Sequence, residues 1–259
     1  MLNRWLSPVR SLGKRWGMGN QGEPVSVQHG SIAQVVDVED RGTVAFVRPY
    51  TMTSSERIHA LCSATRYIEE ANIPGAIVEC GVWRGGSMMA VARTLACLGR
   101  NERDLYLFDT FEGMSEPGVH DVATTGESAR VLLDRASRTE DDLVWCYAPL
   151  ERVAQAMALT NYPQARIHLI PGRVEDTLQT SAPDRIALLR LDTDWYESTR
   201  HEMQQLFPRL SRGGVLILDD YGHWQGARRA VDEYLCEHQV KLFLNQIDYT
   251  GRIGVKAFE

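Results

Sequence analysis

Two groups of aspartates stand directly after apolar runs that have the length of buried strands. Asp192 follows Ile186–Leu191, and Asp219 and Asp220 follow Gly214–Leu218. Carboxylates that meet at one edge of a sheet repel one another, so a hard cation with oxygen ligands is the natural resolution. Mg²⁺ suits such a site, because a hydroxyl beside the metal becomes more acidic and a nearby carboxylate can take its proton. The spacing therefore indicates metal-assisted activation of a hydroxyl group.

A structural explanation of the same aspartates stays open. Asp219 and Asp220 can cap the helix that is predicted after them, or they can form ion pairs. Three arginines are candidates for such pairs: Arg190, Arg228 and Arg229. Asp192 and Asp194 follow a different strand and add two more carboxylates, which favours the cation.

A glycine-rich loop follows the first predicted strand in the run Glu79-Cys80-Gly81-Val82-Trp83-Arg84-Gly85-Gly86-Ser87. Glycines let the backbone approach a ligand, and the helix that begins near Ser87 offers unpaired N–H groups. The loop is not the dinucleotide fingerprint, because Gly81 and Gly85 are four residues apart and Glu79 would repel a pyrophosphate. Glu79 would instead accept a hydrogen bond from an ammonium group, such as that of a methionine moiety. The alternative is a plain turn between strand and helix.

Two further positions complete a nucleotide-like binding site. Asp109 ends the second predicted strand, about thirty residues after Glu79, where a carboxylate can accept hydrogen bonds from both ribose hydroxyls. Its alternative role is to cap the following turn. After the third predicted strand, the backbone at Gly172 can run along an adenine edge while Val174 packs on the ring.

Helices and short apolar runs alternate along most of the chain. One helix is predicted from Thr53–Ser55 to Ala71, capped by Ser54 or Ser55. The other predicted helices are Ser87–Leu98, Leu150–Leu159, Ser198–Leu210 and Gln225–Glu237. The predicted strands are Ala76–Cys80, Leu105–Phe108, Arg166–Ile170, Ile186–Leu191 and Gly214–Leu218, then a hairpin of Lys241–Gln246 and Arg252–Phe258.

These elements predict an α/β fold. Strands without in-out alternation, separated by helices, are typical of a parallel sheet that is covered on both faces. We expect a doubly wound, mostly parallel, seven-stranded sheet with a C-terminal antiparallel hairpin and an N-terminal helical appendage. Ligands bind such sheets beyond the carboxyl ends of the strands, near the reversal of strand order. The polar residues above stand at those ends.

The first twenty residues differ from the rest, because they contain four basic residues and no acidic one. Trp5, Val9, Leu12 and Trp16 recur at helical spacing, which predicts a basic amphipathic helix. We favour a helix that docks on its own subunit or on a sister subunit. Peripheral membrane contact through residues 1–20 is the alternative. Residues 1–50 are assigned to this helix, a linker and a lid, and residues 51–259 to one catalytic domain. A homodimer is the prior expectation.

Net charge and cysteine content indicate which classes of partner and which cellular compartment to expect. The formal charge of −6 offers no attraction to a phosphate backbone, so a small molecule is expected and a nucleic acid is not. The five cysteines are scattered and lack CxxC spacing, which suits free thiols in a reducing compartment. No apolar run reaches the roughly 18 residues that a membrane span needs. These features predict a cytoplasmic enzyme.

Four ordered motifs together resemble the macrocin O-methyltransferase family, over roughly residues 50 to 258. They are Val78–Ser87, Leu107–Met114, Leu191–Tyr196 and Leu218–Tyr221. The resemblance implies a class I, Rossmann-like methyltransferase fold, S-adenosylmethionine as the methyl donor and Mg²⁺ as an essential metal. It also implies a hydroxyl acceptor, often on a sugar of a natural product.

The same resemblance implies roles for single residues. Three positions match the family's metal-binding aspartates: Asp192, Asp219 and Asp220. Asp192 also matches the residue proposed as base. Three positions match the donor site: Glu79, Gly81 and Asp109. Met52 lies in Pro49–Thr53, which resembles the segment that folds over the donor.

Two regions depart from the family's pattern, namely the basic N-terminal helix and His120–Tyr147. Since they would shape the acceptor pocket and the lid, the chemistry is expected to carry over and the particular substrate is not. An oxidoreductase on a doubly wound sheet would be expected to have a three-glycine phosphate loop and no acidic cluster. This sequence lacks that loop and has the acidic cluster. A non-catalytic donor-binding or membrane-associated scaffold is the remaining alternative.

Overall fold

The computed structural model describes residues 37–257. Its helices are α1 (Val38–Val47), α2 (Ser55–Glu70), α3 (Gly86–Cys97), α4 (Ala129–Arg135), α5 (Leu150–Ala158), α6 (Val174–Ser181), α7 (Tyr196–Leu206) and α8 (Gln225–Glu237). Its strands are β1 (Ala76–Cys80), β2 (Leu105–Asp109), β3 (Ile167–Pro171), β4 (Ile186–Leu191), β5 (Leu210–Leu218), β6 (Asn245–Gln246) and β7 (Arg252–Val255).

All seven strands belong to one sheet, in the order β3-β2-β1-β4-β5-β7-β6. Neighbours from β3 to β5 are parallel, and β7 and β6 are added antiparallel at the edge. This arrangement confirms the predicted fold class. The strand order reverses between β1 and β4, so the loops that follow these strands diverge and leave a crevice between them.

The central strands are covered on both faces, which explains why their sequences lack alternation. Every residue of β1 and β4 is buried. Ile77 belongs to one apolar core, with Met89 on α3, whereas its neighbour Val78 belongs to a second core, with Met203 on α7. The two cores hold the sheet rigidly beneath the loops at its carboxyl edge.

Most predicted elements are confirmed with small shifts at their ends. Ser54 caps α2, and its Oγ accepts a hydrogen bond from the backbone N–H of Arg57 at 3.2 Å. Helix α7 begins at Tyr196 rather than Ser198, because the Asp121 carboxylate accepts a hydrogen bond from the Tyr196 N–H at 2.7 Å. Helices α1, α4 and α6 were not predicted, β5 begins at Leu210 rather than Gly214, and the two C-terminal strands are shorter than predicted.

The stretch between β2 and α5, where the sequence showed no recognised pattern, contains α4 and docks on the carboxyl edge of the sheet. Its residues Ala123, Ala129 and Leu133 form a third apolar cluster with Trp195 and Trp224. These two tryptophans lie in the loops that follow β4 and β5. The stretch, which we call the 113–149 segment, therefore forms a wall beside the crevice.

At the N-terminal side, α1 packs on α2 and α3, and Val44 and Val47 enter the first core. The predicted amphipathic helix of residues 1–20 and the linker after it lie outside the described residues. Within residues 37–257, no helix is long and apolar enough to cross a bilayer.

Candidate active site

A cavity of about 230 Å³ opens at the carboxyl ends of β1 and β4, where the strand order reverses. Nine of the ten predicted site residues line it: Met52, Gly81, Ser87, Asp109, Gly172, Val174, Asp192, Asp219 and Asp220. Glu79, the tenth, is 1% exposed and does not line the cavity. The fold therefore brings residues from six separate chain segments to one place.

Three carboxylates converge at one end of this cavity. One oxygen from each of Asp192, Asp219 and Asp220 lies within 4.8 Å of the others. Asp220 Oδ2 is buried and has no hydrogen-bond partner among residues 37–257. Asp194 lies beside Asp220, with a backbone φ of +67°, in the left-handed region that non-glycine residues rarely adopt. Oxygen ligands at this spacing, one of them unpaired, fit a hard divalent cation.

Arg190 reaches the same carboxylates from within the sheet. It is 3% exposed, donates a hydrogen bond to Asp219 Oδ1 at 2.6 Å and forms an ion pair with Asp192 Oδ2 at 2.7 Å. A third ion pair joins it to Glu79. One of the predicted structural alternatives, pairing with Arg190, is therefore present. The other two arginines pair along α8 instead, Arg228 with Asp232 and Arg229 with Glu233.

Arg57 on α2 is a second arginine at this site, and sequence reasoning missed it. Its guanidinium pairs with Asp219 and lies 2.9 Å from Asp248 Oδ2. Asp248 also accepts a hydrogen bond from Ser54 Oγ at 2.7 Å, so the C-terminal hairpin turn and the start of α2 meet behind the carboxylates. Arg57 and Asp219 are 162 residues apart, and no local spacing indicates their contact.

Negative charge remains in excess despite the two arginines, and the pKa values reflect it. Burial raises the pKa of Glu79 to about 7, although Arg190 opposes the shift. Burial, followed by the charge of Asp192, raises the pKa of Asp194 to about 7. Burial also raises the pKa values of Asp192 and Asp220 well above their usual range, and neighbouring carboxylates add to the effect. A bound cation would lower all four.

At the other end of the cavity, Asp109 holds the glycine-rich loop. Its Oδ2 accepts hydrogen bonds from the backbone N–H groups of Val82 at 2.6 Å and Trp83 at 2.9 Å. Its Oδ1 accepts one from Phe111 N–H at 2.8 Å. The capping role that the sequence left open is therefore present. Asp109 also lines the cavity, and its ribose-binding role stays a prediction.

Gly81 is required where the loops after β1 and β4 touch. Its φ is +81°, and a Cβ atom there would lie 2.0 Å from the carbonyl oxygen of Asp192. Beneath it, Glu79 Oε1 is paired with Arg190, while Oε2 is buried without a hydrogen-bond partner in the described part of the chain. Glu79 therefore keeps one oxygen that could accept a ligand N–H.

The remaining predicted donor-site residues surround the same space. Ser87 lies in the first turn of α3, and Val174 is the first residue of α6. Gly172, just before α6, has a φ of +130°. Met52 is 46% exposed, next to Thr53, whose Oγ1 accepts a hydrogen bond from Arg190 at 3.1 Å. The segment that carries Met52 is thus fastened to the acidic cluster.

The wall beside the carboxylates comes from the 113–149 segment, of which Gly113 and Met114 end one of the four family-like motifs while His120–Tyr147 departs from the family's pattern. Four of its residues line the cavity: Gly113, Met114, Ser115 and Cys146. His223 and Trp224, which follow the aspartate pair after β5, are not among the lining residues. Trp224 packs edge-on against Trp195 with ring centroids 5.0 Å apart, and burial lowers the pKa of His223.

The doubly wound sheet, its antiparallel hairpin and the cavity at the strand reversal define a class I methyltransferase fold. The chain belongs to the macrocin O-methyltransferase (TylF) family, which matches residues 27–254. The reaction of this family is methyl transfer from S-adenosylmethionine to a hydroxyl oxygen, and the protein is an O-methyltransferase of this kind. This membership favours the enzyme over the non-catalytic scaffold.

Several relatives resemble the chain over most of its length. The 8-demethyl-8-(2,3-dimethoxy-alpha-L-rhamnosyl)-tetracenomycin-C 4'-O-methyltransferase of Streptomyces olivaceus is 33% identical over 202 residues, which are 78% of this chain and 74% of the relative. The demethyldecarbamoylnovobiocin O-methyltransferase of Streptomyces niveus is 29% identical, over 83% of this chain and 79% of the relative. The structure of the O-methyltransferase NovP superposes with a TM-score of 0.70 at 29% identity, over 81% of this chain and 83% of NovP.

Proposed function

We propose that this enzyme methylates a hydroxyl group on a sugar or a glycosylated natural product with the help of Mg²⁺ held by Asp192, Asp219 and Asp220. One observation carries the metal assignment: these three residues offer oxygens within 4.8 Å of one another at the cavity end. The acceptor class is supported by the Streptomyces olivaceus relative, whose substrate contains a rhamnosyl group.

The cation would supply Lewis acidity, so that an acceptor hydroxyl beside it loses its proton more readily. Asp192 is the proposed base, because its side chain is 26% exposed at the cavity whereas that of Asp219 is 4% exposed. Arg190 pairs with Asp192 Oδ2 at 2.7 Å, and Oδ1 is the oxygen proposed to receive the proton. The bound donor would supply the methyl group: the hydroxyl oxygen would bond to the methyl carbon as the carbon–sulfur bond breaks, and S-adenosylhomocysteine would be released.

The proposed donor site runs from the acidic end to α6. Glu79 Oε2 would accept a hydrogen bond from the donor ammonium, since Oε1 is already paired with Arg190. Asp109 would accept a hydrogen bond from the ribose, because its three backbone donors leave about one of its roughly four lone-pair positions open. Gly172 and Val174 would border the adenine ring. Met52 would cover the donor from the solvent side.

Two broader features belong to the same proposal. All five cysteines are free thiols, which suits a cytoplasmic location. A homodimer remains the expected assembly, and light scattering of the purified full-length chain would test it.

Calorimetric titration with S-adenosylhomocysteine, with and without Mg²⁺, tests the donor site. We expect binding in both conditions, and absence of binding in both would contradict the proposed donor site. Turnover of glycosylated acceptors in EDTA tests the cation separately. We expect a loss that added Mg²⁺ reverses, and full turnover in metal-free buffer would remove the metal from the proposal.

A further inference from the structure

A buried carboxyl group supports the loop that follows β4. Glu202 on α7 is 0% exposed, and its Oε1 accepts a hydrogen bond from Thr193 Oγ1 at 2.9 Å. Thr193 Oγ1 is also 2.9 Å from Ser198 Oγ. Thr193 stands between Asp192 and Asp194, so the hydroxyl that Glu202 holds belongs to the turn that presents both carboxylates.

This turn has a shape that needs external support. Asp194 occupies the left-handed region with a φ of +67°. The turn is closed by a hydrogen bond from Trp195 N–H to the Thr193 carbonyl oxygen at 2.8 Å. A non-glycine residue persists in this conformation only where its surroundings fix it. The Thr193 side chain provides the link from the turn to the body of α7.

Helix packing alone does not account for a glutamate at position 202. Its neighbours Met203 and Leu206 are part of the second core, where an apolar side chain would be favoured. Glu202 Oε2 is buried without a hydrogen-bond partner among residues 37–257, and burial raises the pKa of Glu202 well above its usual range. Glu202 also lies beside the Cys80 thiol at the end of β1, but the hydrogen bond it accepts within this region comes from the Thr193 hydroxyl of the turn. A costly buried carboxyl that holds this hydroxyl indicates a role in the turn.

We propose that Glu202 is a positioning residue for the cation site, which it serves by holding the Thr193 hydroxyl and thereby the turn Asp192–Trp195. The inference rests on the proposed function. It adds a residue outside the cavity that sets the spacing between Asp192 and Asp194 on one side and the Asp219–Asp220 pair on the other. Supports of this kind, one shell away from a metal, typically change metal affinity about 10-fold to 100-fold when they are lost.

Mn²⁺ titration of the full-length protein, followed by electron paramagnetic resonance, measures the site without turnover. For Glu202→Leu and Thr193→Val we expect Mn²⁺ affinity to fall about 10-fold to 100-fold. Glu202→Gln keeps an acceptor oxygen for Thr193 and is expected to retain an affinity close to wild type. The double variant Glu202→Leu/Thr193→Val should bind Mn²⁺ no more weakly than the weaker-binding single variant, since the two changes remove the same hydrogen bond.

Thr65→Val is the control, because it makes the same change at a buried threonine whose hydroxyl bonds the Leu61 carbonyl oxygen at 2.8 Å, within α2. We expect it to leave Mn²⁺ affinity unchanged. If the wild-type protein binds Mn²⁺ and folded Thr193→Val binds it with the same affinity, the role of Glu202 is overturned while the proposed cation site stands. This holds even if Glu202→Leu fails to fold. An equal loss in Thr65→Val would also overturn it, since general destabilisation would then be the cause. A wild-type protein that binds no Mn²⁺ would overturn the proposed cation and the inference together.

Discussion

Two buried clusters of charged side chains in this protein differ in their balance of charge. On α1, Asp40 receives hydrogen bonds from both guanidinium nitrogens of Arg66 at 2.8 Å and lies 2.7 Å from His59 Nδ1. Burial opposes ionisation of Asp40, but these partners outweigh it and lower its pKa. At the cavity the carboxylates exceed their cationic partners, and the pKa values of Asp192 and Asp220 are raised.

This difference in charge balance indicates a structural role for the Asp40 cluster and a ligand-binding role for the cavity cluster. The Asp40 cluster is electrically satisfied by the chain itself and joins α1 to α2. The cavity cluster is satisfied only in part, so its geometry is maintained by the fold at a cost in stability. We therefore expect substitutions in the first cluster to change stability and substitutions in the second to change ligand binding and turnover.

The largest effect is expected for Asp192→Ala. Loss of a base typically lowers kcat about 10²-fold to 10⁴-fold. Affinity for S-adenosylhomocysteine should stay nearly unchanged, because the proposed role of Asp192 is on the acceptor side. Initial-rate assays and calorimetry measure the two quantities separately.

A surface aspartate provides the control for that experiment. Asp104 pairs with Arg166 and His168 far from the cavity lining, so Asp104→Ala should keep its activity. An Asp192→Ala enzyme with wild-type turnover would remove Asp192 as the base.

Asp109→Ala tests a residue that supports the glycine-rich loop and is also proposed to bind the donor ribose. We expect the affinity for S-adenosylhomocysteine to weaken by about 1.5 to 3 kcal/mol, the range for hydrogen bonds to a charged group. Asp142 is a matched control, because it also accepts backbone N–H bonds, from Val144 at 2.8 Å and Trp145 at 3.0 Å, and does not line the cavity. If both alanine variants bind the ligand like wild type, Asp109 only caps its turn.

Asp40→Ala should lower the free energy of unfolding by about 1.5 kcal/mol and leave kcat unchanged, since Arg66 and His59 lose their acceptor. The folded-state pKa of Asp40 lies below its unfolded value. Its contribution is therefore present above the unfolded pKa, about 3.9, and is lost as the pH falls through the folded-state pKa. Urea unfolding across this range measures the effect.

Asp37→Ala is the comparison, because the Asp37 side chain is 76% exposed. It should change stability little. A large loss of turnover in Asp40→Ala, with the protein still folded, would contradict the division between the two clusters.

Asp220→Asn is expected to have the smallest effect, and it should raise the free energy of unfolding rather than lower it. The folded-state pKa of Asp220 is raised, so its ionised form disfavours folding at neutral pH, and this cost disappears as the pH falls below the unfolded value. The neutral amide should raise the free energy of unfolding in EDTA by roughly 1 kcal/mol, the size of one screened like-charge contact. Denaturant unfolding in EDTA measures it. A destabilised Asp220→Asn would show that the cavity carboxylates are not mutually repulsive.

Local sequence was sufficient for much of this fold and site. The β1 and β4 runs were recognisable because both faces of these strands are buried, and the aspartates after β4 and β5 line the cavity because parallel strands end at one edge. Arg57 and the Asp121 cap of α7 were not predictable in this way. Their partners lie 162 and 75 residues away, so only the packed chain brings them together.

The sequence by itself determined the buried strands and most of the helices between them, the glycine-rich loop and the carboxylates at strand ends, because these depend on residue type and spacing over a few positions. The tertiary structure decided how those carboxylates are shared. It placed Arg190 and Arg57 among them, left Glu79 Oε2 and Asp220 Oδ2 without partners, and set Glu202 behind the turn. Such contacts depend on distances between separate segments, which form only when the two apolar cores close on the sheet.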